Sequence, residues 1–470
     1  MKNNRWYPLY HVAAPVGWIN DPNGFCTYKG QYHLFYQYHP YSAQWGPMHW
    51  GHVVSEDLAH WKHLPIALRP DESYDRDGCF SGSAIEHDGK LYLMYTGNVA
   101  LPNECGFQDQ ALAVSDDGIR FTKYEGNPIL PAPTSDSING SDFRDPKVWK
   151  KDGKFYCVIG SKNVEGTHGQ VLLYESDDLK DWRFKNISAH AEGNEGNMWE
   201  CPNFCEVDGQ DVLIMSPMGI ERKENKFVNA VDSGYMIGKL DYYTGIFNHG
   251  EFDLLDYGSD FYAPQVTQTE DGRCIMIGWL AMWFADMPEQ QDGWAGTMTV
   301  PRELHIRNGK LVSVPAKELE SLREGKVSHK NLNISAPTQL DGVKGVTGEL
   351  IAEIDTANSD NFSIALRADG DEKTLLTYDK ETATFSLNRE NSGAGPKDGR
   401  EVVLTPEDIL KLRIYLDRSS IEVFVNDGAA VLTSRIYPAE TSQDIIFIPN
   451  GDKLTLKQVT FYKLGQGIAQ

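Results

Sequence analysis

The sequence predicts an all-β chain, a five-bladed β-propeller followed by a C-terminal β-sandwich. Three observations predict it. The first is a recurring glycine turn ahead of a strand-like run. It occurs as Lys29-Gly30-Gln31 before YHLFYQ, Asp88-Gly89-Lys90 before LYLMYTG and Asp152-Gly153-Lys154 before FYCVIG. It returns as Asp208-Gly209-Gln210 before DVLIMS and Asp271-Gly272-Arg273 before CIMIGW. The glycines lie 59, 64, 56 and 63 residues apart, a period that accommodates the four short strands of a propeller blade. The second is a polar turn with a returning aromatic, SEDLAHW, SDDGIRF and SDDLKDW, at spacings of 60 and 61. The third is a change of texture near residue 330. Beyond it there is no Cys or Trp, and segments such as GELIAEID and SIEVFVNDG alternate in period two, as sandwich strands do.

Gly after Asp supplies the positive φ of a tight hairpin, so each unit reads as a strand, a hairpin and further outer strands. In a propeller the first strand of every blade lines the central channel. Counting back from the glycines lands on Asp21 in WINDPNG, on Phe80 and Ser81, on Arg144 and Asp145 in FRDP, on Glu200 in WECP, and on Tyr262 beside Ala263. The repeat therefore predicts three carboxylates at one offset, converging on one funnel with an Arg, a Ser and several rings. The loop QYHPYSAQWGPMHWGH from Gln37 adds Trp45 to the mouth, and the fifth unit adds Trp279 and Trp294. Flat sugar faces stack on such rings. His49/His52 and His60/His63, each three apart, read as structural histidines, and no metal site is expected. Residues 1–312 form the expected propeller, 313–329 a short helical linker with Leu319 and Leu322 on one face, and 330–470 the sandwich.

Composition narrows the function. Lys+Arg of 44 against Asp+Glu of 67 gives a net charge of −23 over 470 residues, which argues against nucleic acid or an anionic membrane as partner. No run approaches the ~20 apolar residues of a membrane span. The N-terminus has no apolar signal segment, and the seven cysteines are scattered, so cytoplasm is the expected compartment. A sandwich face leaves room for a homodimer.

Paired carboxylates in a pocket with no metal or phosphate loop suggest glycoside hydrolysis. Asp21, among the amides of Asn20 and Asn23, would be an ionised nucleophile. Glu200, between Trp199 and Cys201-Pro202, would be an acid whose proton is held by an apolar wall. Asp145 would bind hydroxyls and stabilise positive charge on the ring, with Arg144 fixing the register.

WINDPNG, FSGS, FRDP, WECP, GWAGTMTVPREL and DRSSIEVFVNDG together resemble the signature segments of glycoside hydrolase family 32, and the resemblance runs the length of the chain. It implies a propeller plus sandwich and a retaining β-fructofuranosidase needing no cofactor. It implies Asp21, Asp145 and Glu200 as catalytic residues. It also implies contacts to a small-molecule sugar from Trp18, Ile19, Asn20, Gln37, Trp45, Phe80, Ser81, Arg144, Cys201, Tyr262 and Trp279. The expected substrate is sucrose or sucrose 6-phosphate, with His39, His49 and Lys62 as candidates for a phosphate. A fructan hydrolase or a fructosyltransferase would use the same residues. A silent sugar-binding propeller would have lost one of the three acids.

Overall fold

The computed structural model describes the chain except residues 1, 2, 102, 103, 134–137, 139, 224 and 470, and the side chains of 104 and 105. Five antiparallel sheets follow one another along the first two thirds of the chain. Their first strands are Gly17–Tyr28, Phe143–Lys151, Met198–Val207, Gly78–His87 and Tyr262–Gln268. In chain order each first strand packs beside the next, and the fifth returns to the first. This closed cycle makes the five sheets blades around a channel. Trp294–Ala295, from the connection inside the fifth blade, also pairs in parallel with Gly17 and Trp18 and ties the last blade to the first.

The glycine turns behave as their chemistry requires. In four of them both central residues have positive φ: Lys29 and Gly30, Asp88 and Gly89, Asp152 and Gly153, Asp208 and Gly209. That is the type I′ hairpin, whose twist matches the flanking strands. The fifth is a wider loop from Thr269 to Arg273, with only Gly272 left-handed. The Ser-Asp turns are equally regular. Asp57, Asp117 and Asp178 each accept backbone N–H groups two and three residues ahead, and Trp61 and Trp182 donate back to the carbonyls of Leu58 and Leu179.

Every first strand is bulged near its channel-top end. The register slips between Ile19 and Pro22, Phe80 and Gly82, Arg144 and Lys147, Glu200 and Asn203, and Tyr262 and Gln265. Four of the bulges contain or end on a proline, which fits because the interrupted ladder asks for no N–H there. The proline alignment makes Asp21, Ser81, Asp145, Cys201 and Ala263 the equivalent positions. Glu200 stands one residue earlier, level with Asn20, Phe80, Arg144 and Tyr262. The three acids therefore occupy two adjacent positions rather than one common offset, because counting from the glycines does not register the bulges.

Blades are stitched by buried amides. Gln37 Nε2 donates to Cys79 O at 2.9 Å, Gln110 Nε2 to Phe143 O at 2.8 Å, and Asn203 Nδ2 to Pro264 O at 2.9 Å. Each satisfies an inner-edge carbonyl that has no strand neighbour.

The expected helical linker is a 3-10 segment, Lys317–Leu322, with Leu319 and Leu322 buried. The strand Arg323–Ile334 follows it directly, so residues 323–329 belong to a sheet rather than to a linker. Two six-stranded sheets then enclose an apolar core that includes Leu350, Ile364, Phe385, Ile414 and Phe447. Among the described residues no helix is long and apolar enough to cross a membrane.

Buried charges join the two parts. Arg302, fully buried, pairs with Asp256 at 2.9 Å and with Glu422 of the sandwich at 2.6 Å. Asp260 receives Arg389 and Arg435 from the sandwich. The N-terminal arm adds His11, whose Nδ1 lies 2.8 Å from Asp417 and whose Nε2 lies 2.9 Å from Glu422. Burial opposes charge on His11, but hydrogen bonds to the two carboxylates outweigh it and raise its pKa to about 9. In the first blade His33 and His52 are buried against each other, 3.0 Å apart, and burial lowers His33 to about 4.

These two environments give opposite signs of pH dependence. The stabilisation from His11 is complete below its unfolded pKa of ~6.5 and fades as pH rises through about 9. His33 loses stability instead as pH falls from ~6.5 toward about 4, because only the unfolded chain takes the proton there. The melting temperature should peak near neutrality and decline on both sides. His11→Gln should flatten the alkaline decline and leave the acidic one, as read by thermal melts across pH; an unchanged alkaline limb would contradict the assignment.

Candidate active site

The bulges aim the three acids at one another. Asp21 Oδ2 accepts from Ser81 Oγ at 2.6 Å, and its Oδ1 from Asn20 Nδ2 at 3.0 Å. Asn20 is itself set by Trp18, whose indole N–H donates to Asn20 Oδ1 at 2.8 Å. Asp145 holds a left-handed φ of 65. Its backbone N–H donates to Thr96 Oγ1 at 3.0 Å, and its Oδ2 accepts the backbone N–H of Cys201 at 2.9 Å. The thiol of Cys201, also left-handed, lies between the two aspartates, 3.5 Å from Asp21 Oδ2 and 3.6 Å from Asp145 Oδ2. One S–H can serve only one of them at a time.

Glu200 has a different environment from the one its sequence neighbours predict. The Trp199 ring points into the core with Tyr156, Val158 and Phe204, and its indole donates to Glu195 O. Adjacent residues on a strand face opposite ways, so Trp199 cannot wall Glu200. Arg144 donates from Nη2 and Nε to Glu200 Oε1 at 2.8 and 3.1 Å, and the Tyr262 hydroxyl donates to Oε2 at 2.5 Å. The same guanidinium holds Asp142 at 2.6 Å, and Lys162 pairs with Asp142 at 2.5 Å.

The site thus sets one guanidinium among three acids at the axis. Burial raises the pKa of Asp21, against the hydrogen bonds of Ser81 and Asn20, and the charge of Glu200 adds to the rise. Burial raises Asp145 as well, to about 7; Arg144 opposes this, and Glu200 and Asp21 reinforce it. A set of this kind binds protons jointly.

Other predicted residues divide into pocket and support. Phe80 and Trp45 face each other edge-on with centroids 6.2 Å apart, and Trp45 is half exposed. Trp279 is fully buried, behind Trp18 and Trp283. Ile19 is fully buried in a core cluster with Val12 and Leu34, and Gln37 spends both amide hydrogens on Asn23 Oδ1 and Cys79 O. Trp294 is buried against Tyr7. Lys62 lies on Trp61–Leu68, the outermost strand of the first blade, away from the axis. His39 and His49 are turned to the carbonyls of Gln44 and Pro47. Among the described residues no cluster of three or more His, Cys, Asp or Glu side chains could hold a metal.

Sequence reading missed Trp283, which stacks on Trp18 at 5.9 Å, and Asp142 with Gln108, both partners of Arg144. Asp142 was open to notice as an acid two residues ahead of Arg144. Gln108 carried no signal, because its place depends on pairing with a strand from another turn.

Comparison with known proteins agrees with this architecture. Residues 11–315 match the glycosyl hydrolases family 32 N-terminal domain, and residues 318–463 match the family 32 C-terminal domain. The chain is 42% identical to a raffinose invertase of Escherichia coli over 96% of its own length and 94% of the relative's. It is 39% identical to a sucrose-6-phosphate hydrolase of Escherichia coli, over 99% and 96% of the two chains. A Bombyx mori family 32 β-fructofuranosidase, solved as a mutant in complex with sucrose, superposes with a TM-score of 0.87 at 38% identity, covering 100% of this chain and 96% of that one. With both domain families matched end to end, the chain belongs to glycosyl hydrolases family 32.

Proposed function

We propose that this glycoside hydrolase is a retaining β-fructofuranosidase that splits sucrose into fructose and glucose. The observation that carries the reading is the convergence of Asp21, Asp145 and Glu200, with one thiol in reach of two of them and one guanidinium on the third. A carboxylate oxygen of Asp21 bonds to the anomeric carbon of the fructosyl unit as the bond to the glycosidic oxygen breaks. Glu200 gives that oxygen a proton. Water, deprotonated by Glu200, then attacks the same carbon and frees Asp21. Asp145 holds ring hydroxyls and faces the developing positive charge.

The proton for the first step belongs to the set rather than to one acid. Arg144 compensates one negative charge of three, and burial raises Asp145 to about 7 and raises Asp21 as well. Glu200, with Tyr262 on Oε2, is the member placed to deliver it.

Sucrose is favoured over its 6-phosphate by the charges at the rim. The acids repel a phosphate, Lys162 and Arg144 are engaged with Asp142, and Lys62 lies on an outer strand. Burial also lowers the pKa of His49, which disfavours its charged form. The half-exposed Trp45 suits an uncharged sugar face. A cytoplasmic location is supported by the six buried cysteines among the described residues, all of them free thiols, as a reducing compartment keeps them. Comparing kcat/KM for the two sugars on one preparation tests the preference; a higher value for the phosphate would reverse it.

Asp21→Asn should abolish turnover with the melt unchanged. Glu200→Gln should cripple sucrose cleavage and spare fructosides whose leaving group needs no proton. Equal loss on both substrates would remove Glu200 from the acid role.

Ser81→Ala tests the electrostatics. It removes a hydrogen bond to a charged group, worth about 1.5–3 kcal/mol, or roughly 10–100-fold in kcat/KM. Because that bond lowers the Asp21 pKa, its loss should also move the acidic limb of the kcat/KM profile to higher pH. An unmoved limb would show that Asp21 does not set it.

A further inference from the structure

A cavity of about 560 Å³ opens at the far mouth of the channel, where the inner strands run into the glycine hairpins. All five inner strands contribute walls, among them Thr27, Ile85, Trp149, Phe204 and Val266. The proposed mechanism uses none of these residues. The charged group set deepest in the wall is Lys147, which is 7% exposed.

Lys147 is a deeply buried cation. Its ammonium has three N–H donors, and one of them reaches across the channel to Val266 O at 2.6 Å. Among the described residues no carboxylate ion-pairs with it. The acidic groups that act on it are the thiols of Cys205, Cys274 and Cys26. Burial pushes the Cys26 thiol up to about 12, and a hydrogen bond with Cys205 together with burial raises Cys274 well above the usual thiol value, so neither supplies negative charge. Glu86 and Glu270 stand on the exposed rim, which also carries Lys29 and Lys150. Burying an uncompensated cation costs several kcal/mol, and burial accordingly lowers the Lys147 pKa to about 8. At neutral pH the protonated form still prevails. The fold thus keeps a positive charge at the back of a cavity whose other walls mix apolar side chains with polar ones such as Thr27, Thr267 and Gln268.

We infer that the far mouth of the channel is a binding site for a small organic monoanion, a carboxylate seated on Lys147 with its apolar part against Ile85, Phe204 and Val266. A single lysine matches one negative charge. The volume exceeds what an inorganic ion fills, and the walls offer apolar contact to the remainder.

The test follows melting temperature against sodium butyrate, with sodium chloride at matched ionic strength as reference, on the full chain at pH 7. Butyrate should raise the melting temperature saturably, and chloride should not. Lys147→Met should abolish the rise. Because that change also removes the strut to Val266, Thr27→Glu provides a second variant. It leaves Lys147 in place and sets a carboxylate in the cavity wall, and it should weaken butyrate at least tenfold. No saturable rise in the wild type would overturn the site. So would a rise retained in Thr27→Glu, or one that chloride reproduces in full.

Discussion

The bulge at the channel-top end of each inner strand is the constraint on which the rest of this structure depends. An unbroken strand would alternate its side chains and send every second residue away from the axis. The slip at Asp21, Ser81, Asp145, Cys201 and Ala263 breaks that alternation at the same height in all five blades. Adjacent residues such as Arg144 and Asp145, or Glu200 and Cys201, can then both serve one pocket. The cost is visible in the left-handed backbone of Asp145, Cys201 and Ala263, each about 1–3 kcal/mol of strain held by the surrounding structure. Buried amides such as Asn203 and Gln110 hold it by fastening one blade's inner edge to the next.

Crowding the acids is what makes their chemistry available at neutral pH. Separate and solvated, three carboxylates would all be ionised. Here burial and mutual repulsion raise Asp21 and Asp145, while Arg144 keeps a charge-assisted pair with Glu200. The Cys201 thiol is a neutral donor between two acids, so it can follow the charge as one aspartate gains or loses it. A cation in that place would fix both acids as carboxylates. The geometry therefore favours holding a proton among these acids more than an ordinary salt-bridge network would.

Much of this was legible in the sequence, for reasons that differ by residue. The hairpin glycines are visible because positive φ is a local requirement, and the acids because four of the five axis positions are followed by proline and the fifth by glycine. The period gave the right strands even where counting from the turns missed the one-residue step between Asp145 and Glu200. What local reading could not supply was orientation. Ile19, Gln37 and Trp279 sit in the right motifs, yet they face the core or the next blade. Trp199 flanks Glu200 in sequence and lies on the other side of its strand. The partners of Arg144 were hidden for a related reason, since Gln108 comes from a strand 36 residues away.

The sandwich holds no acid of the proposed mechanism, yet it helps to shape the site. Asp256 and Asp260 lie in the segment that leads into Tyr262, and both are gripped by buried arginines, Arg302 for the first and Arg389 and Arg435 for the second. Arg435 also donates to Asp286 O at 3.3 Å, in the loop that carries Trp283. Two pocket elements, the hydroxyl on Glu200 and the Trp283 ring stacked on Trp18, are thus positioned from the neighbouring domain. Removing one partner of such a buried pair costs about 3–5 kcal/mol because the other charge is stranded. The interface is therefore suited to holding a fixed geometry, and the catalytic blades gain from the sandwich a rigid back wall that a five-bladed ring alone does not provide.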